Sequence, residues 1–420
     1  MRTDVVVCGA GVAGLATAHA LGALGLEVLV VDKQATYTTA AKGEVLQPGA
    51  LNILRRWGVA PLLEQRGALR LSRLVARDRV GQVRMALNYD QLPGATNWLL
   101  AQDHPVILKT LAEDLPGTVQ LRWGVLAGGL SRAGDGRVTG VRLRGAETEE
   151  QVDARLVVAA DGISSRLRKA VDVPANKADY PHRLVALDIH GVDVESDFTA
   201  YTTGRGLRLC YPLPGGRVRL YVQTQPDELR GLDDDALVRW ADGLVDDLPA
   251  LAAFGDALPK SLHTRQLLPV SRFLAGTLTA PGLALVGESG HMVHPMAAQG
   301  MNSAIVDAHE LAVRIGAISA RLDPSDVDRA LAEYEAARLP NLAHIGQTSH
   351  NAARMLTDLS RLGRTLGRRA LRHTGANRRL SYTVMHNMSG LGTHRITPLD
   401  RLHQIGLLPD PRARRLPAWA

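Results

Sequence analysis

The sequence predicts an α/β protein. A parallel, Rossmann-like dinucleotide-binding sheet is interleaved with an antiparallel-sheet layer, and a helical C-terminal region follows. Three observations predict this. A β-branched run at the start meets Gly9-x-Gly11-x-x-Gly14, and a helix-like stretch then leads to a second strand ending on Asp32. Short apolar runs of the kind buried in parallel sheets recur at 155–160 and 283–288. Between them, residues 181–225 alternate polar, aromatic and aliphatic side chains around a turn at 212–216, which reads as antiparallel.

The first observation is the most specific. Gly9 permits the tight turn, Gly11 lets the backbone approach a pyrophosphate, and Gly14 lets the helix pack on the sheet. The helix N-terminus offers unpaired N–H groups to phosphates. Asp32 follows Gly14 by about the twenty residues expected of an acid that binds a ribose. Residues 5–26 contain no Asp, Glu, Lys or Arg, as a membrane span would. Five glycines and His19 interrupt that run, and Glu27 and Asp32 follow it. A signal peptide would need a basic leader and a small-residue cleavage site, and neither is evident.

Composition sets the outer bounds. With 420 residues there is chain for two or three domains and a large core. Two cysteines, Cys8 and Cys210, make no disulfide framework, so a reducing, cytoplasmic setting is expected. The net charge of +7 is modest. It suits acidic small molecules or a membrane surface and does not call for nucleic acid. No repeat or low-complexity segment stands out.

Further elements follow in order. The first helix is expected over 15–24. A second runs from Ala50 to a stop at Gly58. A strand-like region covers 73–87. Ile107, Leu111 and Leu115 share one helix face. Residues 138–143 alternate as a strand after the turn Gly134-Asp135-Gly136, and 155–160 ends abruptly at Asp161-Gly162. Residues 302–315 form a helix with Ala304, Ile305, Ala308, Leu311, Ala312 and Ile315 on one face. From about Asp326 the chain reads mostly helical.

Three motifs stand in order: Gly9-x-Gly11-x-x-Gly14, Asp161-Gly162, and Gly287-Glu288-Ser289-Gly290-His291 with Pro295-Met296-Ala297-Ala298-Gln299-Gly300-Met301-Asn302. Over about residues 1–340 this arrangement resembles the FAD-dependent aromatic hydroxylases. These are single-component flavoprotein monooxygenases of the para-hydroxybenzoate and ubiquinone-hydroxylase type. The resemblance implies a discontinuous FAD-binding domain (1–75, 100–175 and 276–340), a substrate-binding sheet domain (76–99 and 176–275) and a basic helical region (341–420). It implies that Gly9, Gly11 and Gly14 hold the FAD pyrophosphate and Asp32 the adenosine ribose, with Ala13 and Lys33 also in the cofactor-binding set. Lys42 and Gln102 or His104 would lie near the flavin. Asp161 and Gly162 would serve FAD and the nicotinamide donor. Gly287 and Glu288 would meet the ribityl chain, and Pro295, Gly300, Met301 and Asn302 the isoalloxazine ring. Reduced flavin carries negative charge near N1, which a helix N-terminus at 300–302 would stabilise. Pro295 fixes the backbone ahead of that turn, and Gly300 lets it come close. Two departures matter. Glu288 replaces the family's Asp, and Lys42 replaces an Arg, losing a planar donor.

The implied reaction uses NADH or NADPH and O2 to hydroxylate an electron-rich ring through a flavin C4a-hydroperoxide. The cofactor performs the hard step, while the protein orients the substrate and excludes water. No catalytic residue is assigned. A base that deprotonates a phenol would help, and His182, His190, Tyr201, Tyr211 and Tyr221 are weak candidates, each equally readable as an ordinary strand residue. No metal is expected, since His291 and His294 lack a third ligand. The arginines between Arg361 and Arg379 make either a weak membrane-surface contact or a solvated helix face. Alternatives are an epoxidase or N-hydroxylase of the same fold, an FAD-dependent prenyl-lipid reductase, or a non-catalytic FAD-binding protein. A simple dehydrogenase would leave the second and third motifs unexplained. A flavin-dependent halogenase would need a Trp-x-Trp-x-Ile-Pro signature that is absent here. Few aromatic side chains, at 4% of the chain, point to an aliphatic pocket for a bulky, apolar, partly aromatic substrate. The resemblance, not the composition, implies a quinone-like substrate and a place in secondary metabolism. Nucleotide preference and the choice of monomer or homodimer stay open.

Overall fold

The opening segment folds as strand, loop and helix. Arg2–Cys8 is a strand, Val12–Gly22 a helix, and Val28–Asp32 the next strand. Every residue of that helix is buried. It is apolar on all sides because it lies in the core with the helix Gly300–Gly316. The computed structural model describes residues 1–37, 43–146, 149–319 and 321–420.

The first sheet runs, strand by strand, 279–280, 283–285, 149–159, 2–8, 28–32 and 119–123. All neighbours are parallel except 279–280. On the side away from Arg2–Cys8, the strand Glu149–Ala159 serves two partners in turn. Its first half pairs antiparallel with Val138–Arg144, and its last residues pair parallel with Leu283–Leu285. In register, Cys8 lies beside Val31 and Ala159, and Ala159 beside Leu285. The three motifs far apart in the chain are therefore the loops leaving adjacent strands at one edge. That edge is where open α/β sheets bind ligands.

The second sheet runs 291–292, 266–274, 178–190, 217–224, 206–213, 197–203, 73–78 and 83–88. Only 197–203 with 73–78 is parallel. The region read as one strand over 73–87 is a hairpin, turned at Gly81 with φ +81°. Alternation sorts the sheet's two faces. Leu184, Ala186, Leu209, Tyr211 and Tyr221 face one core, while Val185, Leu187, Val218, Leu220 and Val222 face another. The second core is closed by the helix Asp234–Asp247, which the sequence reading does not anticipate.

Helices Pro324–Thr357, Arg361–Gly375, Arg378–Met388 and Pro398–Gln404 complete the chain. Leu371, Tyr382, Met385 and Met388 pack on the first face of the second sheet, so the C-terminal helices roof it. No helix among the described residues is long and apolar enough to cross a membrane.

Candidate active site

The glycine loop is shaped by collision and by space. Gly9 has φ +116°, and a Cβ there would strike the Ala160 carbonyl. A Cβ on Gly14 would strike the Gly9 carbonyl oxygen. A Cβ on Gly11 would meet nothing within 4 Å. The first two glycines are demanded by the fold, and the third leaves room beside a cavity. Asp32 accepts from Ala10 N at 2.7 Å and Gln34 N at 2.8 Å, so it ties the second strand to this loop.

The second motif is a cap. Asp161 Oδ2 accepts from Arg166 N at 2.8 Å, at the start of Arg166–Ala170. Asp161 Oδ1 is buried without a hydrogen-bond partner among the described residues. Arg168 donates to the carbonyls of Ser289 (2.6 Å) and Ile163 (3.0 Å), locking the second motif to the third. The third motif hangs on Asp307. That carboxylate accepts from Gly287 N (2.9 Å), His291 Nε2 (2.7 Å) and Arg338 Nε (2.8 Å). Burial alone would raise its pKa, but His291 and Arg338 outweigh it and hold it at about 2. Sequence reading missed Asp307 and Arg338; an acid on the buried face of a predicted helix is the signal that could have found the first.

A cavity of about 280 Å³ joins the two sheets. At one end it is lined by Gly11, Ala13, Gly162, Glu288, Pro295, Gly300 and Met301. At the other lie Leu184, Phe198, Leu207, Leu209, Tyr211 and Tyr221. His104 lines the wall between, with Nδ1 3.0 Å from the Gly43 carbonyl.

One polar cluster interrupts the apolar end. Glu44 is buried and lines the cavity. It accepts from Arg219 Nε (3.1 Å) and Nη2 (2.8 Å) and from the Tyr211 hydroxyl (2.8 Å). Strand register places Tyr211 beside Arg219 and Leu209 beside Tyr221, all on the cavity face. Burial, then the Glu44 charge, raises the hydroxyl pKa values of Tyr211 and Tyr221. The raised values favour the protonated hydroxyls, and Tyr211 donates its proton to Glu44.

The other expected residues lie elsewhere. His182 is buried with Nε2 3.0 Å from His294 Nε2. His190 is exposed at a strand end, and Tyr201 packs against the core on the opposite sheet face. None of these three lines the cavity, because strand alternation or position turns them away. Gln102 is spent locally, donating to the Arg66 carbonyl (3.1 Å) and accepting from Asp103 N (2.8 Å). The Asn302 side chain accepts from Gln47 N (2.7 Å) and donates to the Val45 carbonyl (3.0 Å), bracing the helix start instead of facing the cavity. Gly287, φ +58°, packs against Ala13, where a Cβ would clash. Lys33 is exposed, and Lys42 lies outside the described residues.

The pattern of the FAD binding domain family matches residues 2–349. The chain belongs to that family. It is an FAD-dependent oxidoreductase of the aromatic hydroxylase group. This flavoprotein is 28% identical over 309 residues to 6-methylpretetramide 4-monooxygenase of Streptomyces rimosus, 73% of each chain. It is 29% identical over 366 residues to 3-amino-4-hydroxybenzoate 2-monooxygenase of Streptomyces platensis, covering 83% of this chain and 87% of the relative. In fold it is similar to a crystal structure described as a probable FAD-dependent monooxygenase from Pseudomonas aeruginosa. There the TM-score is 0.74 with 24% identity, over 86% of this chain and 98% of that one. The residues present fit FAD. Gly11 and Gly300 leave open space where a Cβ meets nothing within 4 Å, and Asp161 Oδ1 is an unspent buried acceptor.

Proposed function

We propose that this flavoprotein uses NAD(P)H and O2 to hydroxylate an apolar aromatic or quinone-like small molecule. The observation that carries the reading is one continuous cavity shared by the two sheets. It runs from the loops of the first sheet to an apolar sheet face bearing one polar cluster. Gly11, Gly162, Glu288, Gly300 and Met301 would hold FAD, which supplies reduction by NAD(P)H and activation of O2. The chain does the rest. Leu184, Phe198, Leu207 and Leu209 bind a flat apolar ring and exclude water. Arg219 fixes Glu44, and Glu44 fixes the Tyr211 hydroxyl, so the ring meets polar groups at one point. A ring carrying one oxygen is thereby oriented, and Tyr221, on the same cluster, holds its proton for a hydrogen bond to that oxygen. No protein nucleophile is needed.

Anaerobic addition of NADH or NADPH to the FAD-loaded protein tests this. With a panel of phenols and quinones present, the flavin absorption bleaches and returns when oxygen is admitted, with a hydroxylated product. A protein that binds no FAD, or whose flavin neither nucleotide reduces with any of the panel, overturns the reading.

A further inference from the structure

A second hollow, of about 870 Å³, lies where the helix Arg361–Gly375 meets the edge hairpin near Asp78 and Arg84 and the turn at Thr203 and Gly204. Seven arginines and no lysine line it, against Asp78 and Asp358. Asp78 is already paired with Arg84, and Asp358 accepts from Ser360 N at 3.0 Å. Arg79, Arg364 and Arg369 donate to main-chain carbonyls, which carry no charge to offset theirs. The guanidinium groups of Arg361, Arg368 and Arg372 are exposed, with no partner among the described residues. On a convex helix face such charges splay into solvent. In a hollow their field is focused, and an anion relieves the repulsion. The exclusive use of arginine suits phosphate, whose oxygens match the planar guanidinium fork.

The hollow also adjoins the substrate end of the first cavity. Gln223 Oε1 accepts from Leu207 N at 3.0 Å, and its Nε2 donates to the Thr357 carbonyl at 2.9 Å. Leu207 lines the first cavity, and Thr357 precedes Asp358 in the second. One side chain thus stands between the two.

We propose that this hollow is a binding site for a phosphate-bearing small molecule, seating the anionic arm of a ligand beside the apolar cavity. Two sources share this chemistry. One is the phosphorylated adenosine of a pyridine dinucleotide, and the other is the phosphorylated adenosine of a thioester carried on a phosphopantetheine arm. A lipid surface fits less well, since flat headgroups reach only the rim of a hollow.

Calorimetric titration of the FAD-loaded protein distinguishes them. The probes are inorganic pyrophosphate, adenosine 2′,5′-bisphosphate and adenosine 3′,5′-bisphosphate, each at low and high salt. Saturable binding is expected. It should weaken with salt and fall about tenfold or more in the Arg368→Ala/Arg372→Ala double variant, which removes two charge-assisted contacts. FAD content and Tm of that variant should match the parent. Preference for the 2′-phosphate assigns the dinucleotide, and preference for the 3′-phosphate assigns the thioester arm. No saturable binding of any probe, or binding unchanged in the double variant, overturns the proposal. So does pelleting with phosphatidylserine vesicles without nucleotide binding. The readout needs no turnover, so its failure is distinct from a failure of the oxygenase reading.

Discussion

At the scale of single residues, the glycine loop separates folding from cofactor binding. Gly14→Ala places a Cβ against the Gly9 carbonyl, with the Ala160 Cβ beside it and no flexible group to yield. Gly11→Ala meets nothing within 4 Å, and Gly11 has an ordinary φ of −73°. Gly11→Ala should therefore keep its unfolding midpoint as apoprotein, within about 0.5 kcal/mol, yet lose FAD affinity. Gly14→Ala should unfold at markedly lower urea. Equal effects of both variants on apoprotein stability would contradict the assignment of space at Gly11 to the cofactor. Glu44 poses a different question. Glu44→Gln takes from buried Arg219 its close counter-charge and leaves only Asp188, 3.9 Å away, so the loss falls below the roughly 3–5 kcal/mol of a fully orphaned buried charge. Urea unfolding measures the cost. Tyr211→Phe instead removes one hydroxyl and should cost only about 1 kcal/mol, while substrate KM rises. The glycines were legible in the sequence because their spacing is local. Glu44 was not, because its partners Arg219 and Tyr211 are brought to it by the second sheet.

At the scale of elements, the loops at the strand ends are only as fixed as their anchors. The third motif hangs from the helix Gly300–Gly316 through Asp307, and Arg338 of the following helix completes the support. Asp307→Asn removes the charge that pairs Arg338 and His291 in a fully buried site. The expected destabilisation is about 3–5 kcal/mol, with FAD released at lower urea than in the parent. Arg144→Ala breaks the exposed pair with Glu149 and should cost below about 1 kcal/mol. Comparable losses from the two would refute the anchoring role. The strand at 283–288 shows where pattern reading stops. Its apolar run is real, but pairing ends at Leu285, and Ser289 Oγ, 2.5 Å from the Ala159 carbonyl, turns the chain into the loop. Period and composition report burial; they do not report which hydrogen bond ends a strand. The helix Asp234–Asp247 escaped because its apolar face is narrow and only Leu237, Ala241 and Leu244 are buried.

At the scale of the whole molecule, the long-range packing that sequence periodicity cannot supply also sets an acid limit. Residues from 341 onward read as helical, yet nothing local says that they roof the second sheet. That roof and the loop before Pro295 bury histidines far from their places in the chain. His294 Nδ1 accepts from Met296 N at 3.1 Å, so its proton sits on Nε2 and points to His182 Nε2. Burial first, then the neighbouring His182 and His350, drives the His294 pKa down to about 3. Burial lowers that of His182 as well. His309, His344, His350, His373, His386 and His394 shift the same way, each through burial before any other cause. In each the fold disfavours the protonated form relative to the unfolded chain. The unfolded state therefore binds more protons below its histidine pKa near 6.5, and stability must rise with pH there. For His294 the contribution is complete above about pH 6.5 and is lost as the pH falls towards about 3, at most on the order of 5 kcal/mol. Urea unfolding between pH 8 and 5 should show a plateau above 7 and a decline below it. His294→Gln should flatten that decline by close to one proton, about 1.4 kcal/mol per pH unit. A parent whose stability is level from pH 8 to 5, or a variant with an unchanged slope, would show that the His182–His294 pair already carries a proton in the fold.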